Sequence, residues 1–260
     1  MTDNCLKRIA KRASVMLTLF CFFGFSTAAN ALNIDFEYLD HGEIAFGTID
    51  GVTISAFNFN RDFNYAVGFD SNATGTSDED LESAGLPTPW SGGNIAGEDL
   101  GTMLILQENS DGCDTGICSD PDDEGMRRAG VFVFDFATPI TAFGFDGIDI
   151  ESLTAENMTI DFAFGDDFVT VDLMDFFDPS SILYDPTLSL GNNTANRFTA
   201  ITAESLGFDQ IDRVKIIMGG SGGIDNLNYT PVPEPTTALL MALGLSGLAV
   251  KRRHSIGARA

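Results

Sequence analysis

Lysine and histidine are almost missing from the central part of this chain. Across residues 32–230, Lys215 is the single lysine and His41 the single histidine, and neither sits in a nucleophile motif. There is no His-Glu-x-x-His and no phosphate-binding loop, so the signatures of zinc proteases and nucleotide-driven enzymes are absent. Basic charge is scarce as well. The chain has 14 Lys and Arg against 38 Asp and Glu; the segments 1–31 and 233–260 hold eight of the basic and two of the acidic residues, leaving six and 36 for the middle. A surface so negative repels nucleic acid and anionic lipid and attracts cations. No long stretch of the middle repeats with a helical period, and tryptophan occurs once, as Trp90.

What the middle does contain is strand pattern. Period-two alternation of apolar and polar residues marks 33–39 and 51–57. Further strands are expected at 103–106, 131–136, 140–145, 158–164, 168–173, 213–218 and 224–229. The abundant Phe residues of this middle part read as core on pleated faces. With Gly, Asp and Asn as punctuation, the expectation is an all-β fold: a single jelly-roll-like β-sandwich over 32–230. Short helical turns are expected at 174–177 and 203–209. Two long acidic loops, 70–99 and 108–125, exceed ordinary connections, and loops of that length are either functional or disordered.

The ends have a different composition. Residues 1–31 begin with Lys7, Arg8, Lys11 and Arg12, continue as an apolar run 15–25, and finish in Ala29-Asn30-Ala31. That order is read by the export machinery and signal peptidase, and it predicts cleavage after Ala31. The competing reading is an uncleaved anchor, for which the apolar run is short.

At the other end, 231–260, Pro233-Glu234-Pro235 precedes a 15-residue apolar stretch, 236–250, and then Lys251-Arg252-Arg253. As a helix the stretch spans about 22 Å, short of a hydrocarbon core of roughly 30 Å. The basic cluster should stay cytoplasmic, placing the acidic domain on the far side of a transient inner-membrane anchor. The Pro-Glu-Pro entry, short apolar helix and Arg-containing exit resemble the PEP-CTERM sorting domain. That resemblance implies processing by an exosortase and an address at the cell surface or in an exopolysaccharide matrix or biofilm. An ordinary tail-anchored membrane protein is the alternative. The runs 100–108, 121–124, 130–136 and 147–151 are also similar in order to exported domains that carry this signal, which implies a β-sandwich and no particular activity.

Four features could carry chemistry. Cys113 and Cys118 form a close pair in an exported chain, which predicts a disulfide; free thiols or a metal are the alternatives, and a zinc site would need further ligands. Asp111, Asp114, Asp120, Asp122, Asp123 and Glu124 crowd one Gly-containing loop, a candidate for Ca²⁺ through hard oxygen donors, against the plain reading of a solvated loop. Asp35 and Glu37 on the first strand and Asp225 on the last are similar in type and order to the structural calcium site of carbohydrate-binding jelly rolls. The alternative is exposed positions alternating with core residues. Trp90, in a Pro/Gly-rich loop, is the candidate sugar-stacking residue, although a lone tryptophan more often packs.

The functional expectation is an exported, non-catalytic surface or matrix protein that binds polysaccharide or protein with calcium assistance. The alternatives are a secreted hydrolase using paired carboxylates on matrix polysaccharide and a purely structural matrix component.

Overall fold

In the computed structural model, which describes residues 30–155 and 157–233, the runs expected at 131–136 and 140–145 are one strand of 19 residues, Gly130–Ile148. It is the sixth of eleven. The others are β1 (Leu32–Ile34), β2 (Gly47–Ile49), β3 (Val52–Asn58), β4 (Ala66–Asp70), β5 (Thr102–Leu106), β7 (Thr159–Phe164), β8 (Asp167–Asp172), β9 (Ala195–Thr202), β10 (Ile211–Met218) and β11 (Gly223–Pro231). The chain is therefore mostly β, and its strands form one large antiparallel sheet, as an all-β sandwich-like fold requires. The described strands lie in one compact unit, Asn30–Val232.

Strand β6 belongs to two groups of neighbours. Its first half, 130–136, pairs with β3 on one side and β10 on the other; Phe134 lies opposite both Ile54 and Val214. Its second half, from Ala142 onward, pairs with β11 and β9. The change falls around Pro139, which has no N–H to give a ladder; its carbonyl accepts the N–H of Val232 at 2.8 Å. In the first half Phe132, Phe134 and Phe136 are buried and the residues between them are partly exposed. From Phe143 to Ile148 every residue is buried, because both faces of that half are covered.

Strand β5 shows why. Leu104 and Leu106 point into the main core with Phe134, Phe143 and Ile224, whereas Met103 and Ile105 point into a second core. The second core takes Leu81, Trp90, Ile95, Cys113 and Cys118 from the two long acidic loops. Those loops thus fold down onto the outer face of β4 and β5, each contributing apolar residues that repay its ordering.

Three strands had weak sequence signals: β2 and β4 are short, and β9 is largely polar. The first strand is shorter than expected. Its pairing with β11 ends at Ile34, and the chain then turns at Phe36, which is fully buried at φ 56°. Asp35 and Glu37 consequently sit on a turn, a correction to their placement on a strand. The helical turns at 174–177 and 203–209 are 3₁₀ turns, Leu173–Phe176 and Glu204–Leu206. Among the described residues no helix is long and apolar enough to cross a membrane. Ala29, Glu234, Pro235, Arg252, Arg253 and the stretch 236–250 lie outside the described residues.

Candidate functional site

Across β9, β6 and β11, Arg197, Asp146 and Asp225 stand side by side in register. Arg197 grips Asp146 with both nitrogens of one edge, Nε to Oδ1 at 2.9 Å and Nη2 to Oδ2 at 2.8 Å. It also reaches Glu98, so one guanidinium serves two carboxylates. Asp225 lies on the far side of Asp146 and is fully buried. Its oxygens accept only from its neighbour, Asn226 N at 2.6 Å and Asn226 Nδ2 at 2.9 Å. Burial, reinforced by the charges of Asp146, Glu37 and Asp35, pushes the Asp225 carboxyl up to about 9. Asp146 is raised in direction by burial too, against the pull of Arg197.

The position of Asn226 comes from a bulge. The β11–β6 register shifts between Asp225 and Asn228, and Asn226 takes a left-handed φ of 49°, a conformation that Asn tolerates better than most residues. Its amide nitrogen also donates to Asp146 Oδ2 at 3.0 Å, and its carbonyl oxygen accepts from Asn33 at 3.0 Å. Bulges of this kind re-aim side chains next to functional sites.

Asn226 stands in the wall of two clefts. One, of about 400 Å³, is lined by Asp35, Glu37, Asn72, Asp99 and Gly101 besides Asn226. The other, of about 420 Å³, runs past Asp146, Arg197 and Phe198. The first is held by backbone donors: Thr102 N donates to Glu37 Oε1 at 2.8 Å, and Gly101 N to Asp99 Oδ1 at 3.2 Å. Gly101 sits at φ +60°, and a Cβ there would lie 2.0 Å from Glu37 Oε1. Only glycine lets that carboxylate come so close.

The pairing of β1 with β11, Ile34 opposite Leu227, brings the turn of Asp35 and Glu37 to the strand that carries Asp225. All the donors are oxygen, the set that suits a hard cation such as Ca²⁺. Among the described residues, no three His, Cys, Asp or Glu side chains already close around a common ion position. Asp99, Asp146, Arg197 and Asn226 were missed by sequence reasoning. A carboxylate inside the apolar run Phe143-Gly144-Phe145-Asp146 was the available signal.

The acids of loop 111–124 do not gather as one ligand set, a correction to the sequence expectation. Buried Glu124 is taken by Arg61, at 2.6 Å. Asp120 accepts from Ser77 Oγ at 2.7 Å, and Asp111 and Asp114 are exposed. Asp122 is pushed up to about 6 by burial and by the charges of Glu108 and Asp120. Asp123 turns inward and is buried away from them. Cys113 and Cys118 are joined, with sulfurs 2.11 Å apart, and both are buried in the second core.

Trp90 is 3% exposed, and its indole N–H donates to Glu98 O at 3.0 Å. It packs and offers no face to a sugar, which corrects the expected ligand contact. His41 accepts the N–H of Asp70 through Nδ1, and burial lowers its pKa. The run Gly219-Gly220-Ser221-Gly222-Gly223 has the spacing of a nucleophile elbow, but it leads from strand β10 into strand β11, which lie on either side of β6. A nucleophile elbow needs a strand-to-helix turn.

Comparison with curated proteins and with solved structures found nothing similar to this chain. One family comparison is positive, and it concerns the C-terminal end, beyond the last strand but for its first residue. Residues 231–253 match the PEP-CTERM protein-sorting motif, so this chain carries the sorting signal of exported, exosortase-processed, cell-surface-directed proteins.

Proposed function

We propose that the β-sandwich is a non-catalytic binding module, displayed at the cell surface or in the extracellular matrix, that takes a hydroxyl-rich polysaccharide in the two clefts flanking Asn226, assisted by Ca²⁺ held near Asp35, Glu37 and Asp225. The observation that carries this reading is the Asp225–Asn226 bulge. It sets a buried carboxylate without a cationic partner of its own beside two open, polar clefts. Calcium there would offset the carboxylate charge that Arg197, engaged with Asp146 and Glu98, leaves uncompensated. Sugar hydroxyls suit the remaining amide, carboxylate and guanidinium groups as hydrogen-bond partners. Processing by signal peptidase and exosortase, with transient membrane insertion through 236–250, is the route to that address.

The test is a glycan array and titration calorimetry with the mature protein, with and without millimolar calcium. Binding that needs calcium and is lost in Asn226→Ala supports the reading. Equal binding by Asn226→Ala and Asp225→Asn, or none by the wild type to any acidic or neutral polysaccharide, overturns it. Sugar release from native matrix would favour the hydrolase instead.

A further inference from the structure

A second group of carboxylates lies under the acidic loops, apart from the bulge on β11. Asp78, Asp123 and Asp149 are 5%, 6% and 0% exposed. They come from three separate segments: the loop after β4, the loop before β6, and the turn after β6. Asp78 Oδ2 accepts the N–H of Asp123 at 3.1 Å, and Asp123 accepts the N–H of Gly222 through a very short contact. Asp80 is among the neighbours whose charge acts on Asp78. The charges acting on Asp149 include Asp80 and Asp123.

Asp149 is the telling member. Its Oδ1 accepts the N–H of Asn193 at 2.5 Å. Its Oδ2 is buried and has no hydrogen-bond partner at all. A buried carboxylate oxygen left without a donor is costly, and native proteins rarely keep one without a purpose. Asn193 also donates through its side chain to Asp80 O at 2.9 Å and Glu82 O at 3.0 Å, tying this carboxylate to the loop that carries Asp78 and Asp80. Both Asp149 and Asn193 hold left-handed backbone, φ 58° and 55°. The ion pairs of Arg61, Arg197 and Arg213 are all made with other acids. Burial raises the pKa of Asp78, Asp123 and Asp149, as expected for carboxyls grouped without a cation.

We propose that Asp78, Asp80, Asp123 and Asp149 form a structural site for one hard divalent cation of the calcium class, which locks the two acidic loops onto the sheet. The donors are all oxygen and come from irregular loops, which suits the larger, geometrically tolerant ion over magnesium. The absence of His and Cys from the set disfavours zinc. Among the described residues, the four carboxyls as they stand do not enclose an ion position. Binding draws Asp78 and Asp80 toward the free oxygen of Asp149. The site stands independently of the clefts at Asn226.

The experiment uses the full mature chain after chelation, followed by calcium or magnesium addition. Native mass spectrometry counts bound ions and calorimetry reads the melting temperature. The wild type should gain roughly 5–10 °C at saturating calcium, and much less with magnesium. Asp149→Asn keeps the shape and removes the charge. It should melt higher than wild type without metal, and it should bind one calcium fewer. Asp225→Asn, at the other site, should keep this ion. A calcium count unchanged in Asp149→Asn, or a wild type that binds none, overturns the proposal. Should Asp149→Asn not fold, Asp80→Asn, at the more exposed member, carries the same expectation of one ion lost.

Discussion

Arg61 and Glu124 form a forked ion pair, with Nε 2.6 Å from Oε2 and Nη2 3.1 Å from Oε1. The carboxylate is fully buried and the guanidinium partly exposed. A second carboxylate, Glu108, holds the same Arg61 at 2.8 Å. This fork explains why Glu124 is not available to a cation while its neighbour Asp123 is.

Removing the fork should leave Glu124 buried and unpaired. Arg61→Ala is expected to destabilise the protein by about 2 kcal/mol. Arg61→Ala with Glu124→Gln should recover most of that loss, because the stranded charge is gone. Urea unfolding of the single and double variants checks this; an additive double variant contradicts it.

The buried carboxyls give the metal-free protein an inverted pH response. Asp225 is pushed up to about 9 and Asp149 to about 8, in both cases chiefly by burial. The folded state therefore holds these protons more tightly than the unfolded chain, whose carboxyls titrate near 3.8. Their contribution to stability is complete below about pH 4 and is lost as pH rises through the folded values. In chelator, the urea midpoint should fall from pH 5 to pH 9, and saturating calcium should flatten that slope. A midpoint that climbs with pH in chelator would contradict the sign.

Trp90 is the only tryptophan in the chain, and it is buried. Its emission should be blue-shifted and resist quenching by acrylamide. Trp90→Ala should cost about 3–5 kcal/mol by opening the second core. Polysaccharide binding by whatever fraction remains folded should be unchanged. An exposed, readily quenched tryptophan would return Trp90 to the list of ligand contacts.

Gly101→Ala probes the approach of Glu37. The new methyl would meet Glu37 Oε1 at 2.0 Å and strain a backbone at φ +60°. The carboxylate must swing away and give up its bond from Thr102 N. The stability cost should be about 1 kcal/mol. The larger effect should be on calcium affinity at the Asp35–Asp225 site, read by calorimetry, with the ion held by Asp149 unaffected.

The strand pattern was legible because period two in 131–136 and 213–218 is a local property of a half-buried strand. It failed at β9, where Asn196 and Arg197 serve polar networks and the apolar signal is thin. It failed at Phe36, where a bulky residue takes a left-handed φ. Carboxylate density drew attention to loop 108–125 but could not sort its members, because which acid turns inward depends on what lies beneath the loop. The grouping of Asp35, Glu37 and Asp225 rests on a resemblance, in type and order, to the calcium site of carbohydrate-binding jelly rolls. Asp146 and Arg197, which stand in register beside Asp225, carry no such signal in the sequence.

The sequence by itself determined the address and the class of fold. The sorting motif is a contiguous string, and alternation along a strand needs only neighbours within the same segment. The tertiary structure alone decided which carboxylates share a site, that Trp90 is core, and that the two acidic loops cover a sheet face. Those outcomes depend on residues 40 or more positions apart being brought together, as Asp78 and Asp123 are. Pairing over such distances is set by strand register and by the burial of both faces of β5, which no local pattern records.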